Sequence, residues 1–104
     1  MKDRIYFEVT SSLGKKIRVT SAYWNKIIQT KHRMMKGKED IVKETLKNPS
    51  EIRKSIKDLK IFLYYRKING KYSCVVTKHL NGDGFVITTY ITDRIKIGEK
   101  YEAN

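Results

Sequence analysis

Residues 4–20, RIYFEVTSSLGKKIRVT, alternate between apolar and polar positions. Ile5, Phe7 and Val9 point one way, Tyr6, Glu8 and Thr10 the other, and Ile17 and Val19 resume the pattern after Ser11–Gly14. A period of two broken by a turn predicts a β-hairpin. The period then changes. Ser21 is a good N-cap, and Trp24, Ile27 and Ile28 make one helical face that Met34 and Met35 extend as far as Gly37. A second helix is expected over 38–47, burying Ile41, Val42, Thr45 and Leu46. The stretch NPSEI predicts a third, with Asn48 as N-cap, Pro49 at the first helical position and Glu51 three residues after the cap. Its inner face would be Ile52, Ile56 and Leu59, leaving Arg53, Lys54 and Lys57 outside.

The second half reads as a meander. KIFLYYRKI, KYSCVVTKH and GFVITTYIT are three strands, the first two joined by Asn69-Gly70, a strong two-residue hairpin signal. RIKI, at 94–97, adds a short edge strand. The expected fold class is α+β in a single domain over 1–104. An N-terminal hairpin and two to three helices lie on one face of an antiparallel sheet, which a C-terminal meander of three to four strands completes.

The Asn-Gly turn sets Ile68 opposite Lys71, Arg66 opposite Ser73, Tyr64 opposite Val75 and Phe62 opposite Thr77. Pairing Leu80 with Phe85 across NGDG then sets Thr77 opposite Thr88, Val75 opposite Tyr90 and Ser73 opposite Thr92. One face carries Ile61, Leu63, Tyr65, Cys74, Val76, Ile87 and Ile91, which suits a helix-covered core. The other carries Tyr64, Arg66, Ser73, Thr77, His79, Thr88, Tyr90 and Thr92. That second face suits a phosphate backbone with a base stacked beside it. On alternation alone it better suits the wet side that an antiparallel sheet normally has, where threonine is a good strand former. A one-residue change in the loop would exchange the faces of the last strand, because the side-chain period is two.

Charge sharpens the picture. Of 104 residues, 39% are hydrophobic and 33% charged, ordinary for a folded domain, but 23 Lys and Arg face 11 Asp and Glu, a net charge of +12. The excess is spread along the chain, so the folded body is basic and suits a polyanionic partner. No apolar run approaches a membrane span, and MKDRIYFEV is too charged for a signal segment, so no membrane is expected. A single cysteine, Cys74, fits a reducing cytoplasm, and two histidines with one cysteine spell no Cys/His metal site, so neither metal nor cofactor is expected.

RNA is cleaved without metal when its 2′-OH attacks the adjacent phosphate, which asks for a proton acceptor, a donor and cations around the phosphorane. His32, in TKHRMM, is the one histidine in a helical stretch, and Lys31 and Arg33 flank it. An imidazole between phosphate-binding cations is the right type of group; a histidine also stabilises a helix C-terminus through the dipole. His79 and Asp83 fit an exposed loop and a turn. Arg53, outside the third helix, could track a phosphate backbone, and Ser55 would make a helix-to-sheet hydrogen bond.

The succession W..I, KH..M, V..TL.NP..I..S, LYYR, VV.K and GFVITTYIT..IK.GE, from about Thr20 to Glu99, resembles the phage-associated nucleases of the barnase–EndoU–colicin–RelE-like (BECR fold) superfamily. The resemblance implies a barnase-like RNase of toxin or phage-defence type, with helices on one face of a sheet and an RNA groove on the other. By position it makes His32 the acid/base group and Lys78 or Arg66 the phosphate holder. Thr88 and Thr92 would line the groove, and Tyr64, Tyr65 and Tyr90 would stack bases. The family commonly has proline after the histidine, where this chain has Arg33. Lys78 sits on the expected core face beside Ile87, so either it is structural or the loop register differs. RNA is the partner implied; an acidic antitoxin or immunity protein is a second. The alternative readings are a non-catalytic RNA- or DNA-binding domain, or a module that binds an acidic protein.

Overall fold

The computed structural model describes residues 4–95 and 99–101. In chain order these form β1 (Ile5–Thr10), β2 (Lys16–Thr20), α1 (Ser21–Lys26), a π-helical turn (Ile27–Lys31) and a 3-10 turn (Arg33–Met35). There follow α2 (Glu39–Lys47), β3 (Glu51–Lys54), β4 (Ile61–Ile68), β5 (Lys71–His79), β6 (Asp83–Thr92) and β7 (Glu99–Tyr101). The fold is α+β, with one sheet of strand order β1-β2-β6-β5-β4-β3-β7. β2 runs parallel to β6 while the other neighbours are antiparallel, so the sheet is mixed and not purely antiparallel as expected. The expected strand at 94–97 runs into residues 96–98, outside the described residues.

The first helix is shorter than its apolar face predicts. Thr20, one residue before the expected cap, accepts a hydrogen bond from Tyr23 N at 3.1 Å, and the α-helix ends at Lys26. Beyond it the β-branched pair Ile27-Ile28 and the Thr30 hydroxyl, which donates back to Lys26 O at 2.6 Å, widen the coil into the π turn. His32 N closes that turn on Ile27 O at 2.8 Å.

The expected third helix is a strand. Asn48 closes α2 outside the helical region, with φ −136° and ψ 65°, as the residue before proline is kept from helical conformation, and residues 51–54 then pair with β4 from Glu51↔Tyr65 to Lys54↔Phe62. Ile52 is buried, but Ile56 and Leu59, expected inside, are 71% and 61% exposed. The open edge of β4 captured a segment whose local capping signals point to helix.

The helices cover the face opposite to the one expected. Trp24, Ile27, Met35, Val42 and Leu46 pack with Phe7, Ile17, Val19, Phe62, Tyr64, Val75 and Val86. Ser73 lies under α2, its hydroxyl bonded to that of Thr45. Leu63, Tyr65 and Cys74 instead form a second cluster on the other face, with Ile61, Tyr72, Val76, Tyr90 and Ile95 against it.

Pairing across Asn69-Gly70 follows the expected register, from Ile68↔Lys71 to Phe62↔Thr77. Pairing of β5 with β6 does not. A tight turn with Leu80 N bonded to Asp83 O at 2.6 Å, and Gly82 at φ +86°, sets His79 opposite Gly84. That displaces the register by two residues and keeps the faces. An irregularity between Val86 and Thr88 leaves Ile87 bulged and moves it back by one, which exchanges them. Thr88, Tyr90 and Thr92 therefore lie opposite Val76, Cys74 and Tyr72.

Candidate functional site

The two departures compound. With the helices on the Tyr64 face and the end of β6 reversed, the side chains left on the open face run in rows across the sheet. Arg53, Leu63, Val76 and Thr88 make one row, and Tyr65, Cys74 and Tyr90 the next. Ile61 and Lys78 make the row on the other side, about 7 Å away by strand rise. Lys78 thus faces the open side, which resolves its conflict with the expected core.

A cleft of about 430 Å³ opens here between the chain at 53–57 and the sheet. Ile61, Leu63 and Val76 line it with Arg53, Thr88 and Tyr90. Ser55, expected on a helix, has its hydroxyl accepting from Lys57 N and Asp58 N at 3.2 and 3.3 Å, which shapes the turn after β3. Asp58 then holds Lys78 Nζ at 3.4 Å, and backbone and ammonium together keep its carboxyl below the usual range. The Arg53 guanidinium pairs with Glu51. Thr88 Oγ1 is shut off from water and meets no hydrogen-bond partner among the described residues.

His32 reaches this face from the end of the π turn. Its ring lies 5.2 Å from that of Tyr90 at 44°. Burial, with Lys31 second, holds the imidazole below its ordinary value of 6.5, so it is neutral at pH 7 and able to accept a proton. Burial pushes the Tyr90 phenol far above its usual value, with Cys74 and Tyr65 beside it, so that hydroxyl is a donor and not a base. Lys31 and Arg33 are exposed on either side of His32.

The remaining candidates fall elsewhere. Tyr64 is fully buried beneath the helices, its hydroxyl 3.0 Å from Ser11 Oγ and 2.9 Å from His79 Nε2, so it offers no face to a base. Arg66 points to the same side and donates to Asn48 O at 2.6 Å, closing the end of α2. The sequence pattern sets both on an RNA face because it covers the other side. Thr92 shares the open side with Thr88 and accepts from Arg94 N at 3.3 Å. His79 is not an exposed loop residue: it stacks on Phe62 with centroids 4.0 Å apart at 11°, and burial, then Lys15, pulls it down to about 4.

Sequence reasoning missed the apolar floor of Ile61, Leu63 and Val76. A lysine at 78 on a nominally buried face was the signal that could have found it. Among the described residues no group of three or more His, Cys, Asp or Glu is placed to hold a metal ion, and no helix is long and apolar enough to cross a membrane. No protein-family model, curated protein or solved structure matches the chain.

Proposed function

We propose that the chain is a metal-independent endoribonuclease with its groove on the helix-free face of the sheet. The observation that carries this reading is the meeting of His32 with Tyr90 beside Thr88 and Arg53, on one face of a body with net charge +12. The neutral imidazole accepts the 2′-OH proton as that oxygen attacks phosphorus. Arg53 and Lys78 exchange their carboxylate partners for the oxygens of the phosphorane, and Lys31 and Arg33 draw the backbone in. The 5′-oxygen leaves with a proton from water, and the products are a 2′,3′-cyclic phosphate and a 5′-hydroxyl. Tyr90 stacks a base. Such an enzyme needs restraint inside its own cell, and an acidic antitoxin or immunity protein fits its charge.

One observation favours a second reading, RNA binding without cleavage: the His32 ring meets Tyr90 alone, with no carboxylate or second imidazole bonded to it among the described residues. Incubating mixed-sequence RNA with the protein and with His32→Ala in EDTA separates the two. Fragments ending in 2′,3′-cyclic phosphate, lost in the variant, support the nuclease. Intact RNA with a retarded, salt-sensitive band supports the binder.

A further inference from the structure

The two edges of the sheet are unlike. β7 is three residues long, whereas β1 has six and pairs only with β2 among the described strands. An exposed edge of this length offers a row of backbone donors and acceptors, and proteins ordinarily guard such edges with charge, proline, bulges or shortness; the register of β1 shifts between Ile5 and Phe7, which leaves Phe7–Thr10 as its regular stretch. β1, IYFEVT, has neither lysine, arginine nor proline, in a chain holding 23 of the two cations. The other strand without Lys or Arg is β6, which has a neighbour on each side. β1 therefore has the composition of an interior strand at an edge position. Ile5 and Tyr6 on it are 56% and 46% exposed.

We infer that β1 pairs antiparallel with β1 of a second copy, joining the two sheets across a two-fold axis. A two-fold pairing needs a surface that complements itself. Electrostatics permit it here. Across β1 and residues 36–47, which include α2 packed on β1, Glu8, Glu39, Asp40 and Glu44 balance Lys36, Lys38, Lys43 and Lys47, in a chain of net +12. Two copies that meet here do so without the net positive charge of the whole body. A cleft of about 340 Å³ that Tyr6 lines with Trp24 and Ile28 adjoins the edge, and it supplies the apolar contact that pairing of short strands lacks by itself. β6, β5 and β4 stand between this edge and β3, so the cleft at Arg53 stays open in the pair.

Sedimentation velocity across a concentration series tests this, on the wild-type chain and on Ile5→Lys, Thr10→Lys and Leu80→Lys. The first two add charge to exposed β1 side chains, and the third adds the same charge at an exposed site on the β5–β6 turn. The expected result is a concentration-dependent species of two 12.3 kDa chains that Ile5→Lys and Thr10→Lys dissociate at least tenfold more readily and Leu80→Lys leaves intact. Circular dichroism confirms that each variant is folded. A monomer at every concentration overturns the inference, as does a dimer that survives both β1 variants or that Leu80→Lys weakens equally.

Discussion

His32 and Tyr90 stand 58 positions apart in sequence and meet with ring centroids 5.2 Å apart. One comes from the end of a π turn, the other from the sixth strand, and the contact exists because Ile87 is bulged out of register. The proposed roles of Thr88 and Tyr90 on the open face follow from that one-residue shift, since without it both would point beneath the helices.

The acid side of the pH–rate profile should report His32. A general base works deprotonated, so cleavage falls as pH drops through its pKa, which burial and Lys31 hold below 6.5. Lys31→Ala removes the charge and leaves the burial, so the limb should move up toward 6.5. An unmoved limb would detach it from this imidazole.

Thr88→Val should separate stability from activity. The hydroxyl is buried without a partner among the described residues, so an isosteric methyl relieves a desolvation cost of about 1 kcal/mol and raises the urea midpoint. If the hydroxyl is kept for RNA, cleavage drops as the fold gains. Cleavage equal to wild type would make it a packing residue.

The two arginines should behave oppositely. Arg66→Ala opens the bond that closes α2 and costs on the order of 1 kcal/mol of stability while leaving RNA affinity intact. Arg53→Ala should weaken RNA binding and flatten its salt dependence. Filter binding at two salt concentrations, beside urea titration, shows whether the pattern holds or is reversed.

His79 should make the fold acid-sensitive. Its folded pKa is about 4, against an ordinary 6.5, so the unfolded chain binds the proton first. Stability is full above about 6.5 and is lost as pH falls toward 4. His79→Gln should flatten that window in urea titrations at pH 7, 5.5 and 4.5; an unchanged slope would assign it to other groups.

Local chemistry on its own determined β1, β2, β4, β5 and β6 and their periods. The Asn69-Gly70 turn admits one register because its backbone matches the twist of β4 and β5, and the pairing from Ile68↔Lys71 to Phe62↔Thr77 follows from two residues. The burial of Trp24, Val42 and Leu46 likewise follows from helical spacing. Residue type and neighbours alone point to His32. What alternation could not carry is a choice between two faces that are both apolar in part. Tyr64, Ser73 and Val75 on one side and Leu63, Tyr65 and Cys74 on the other are each good enough to be covered, and the helices settled on the first. Asn48-Pro49 is equally at home starting a helix and ending one, so only the free edge of β4 made residues 51–54 a strand. The bulge at Ile87 has no local signature. It is a compromise between the tight turn at Asn81-Gly82 and the packing of Val86 and Thr89, a long-range condition that exists only once the sheet has formed.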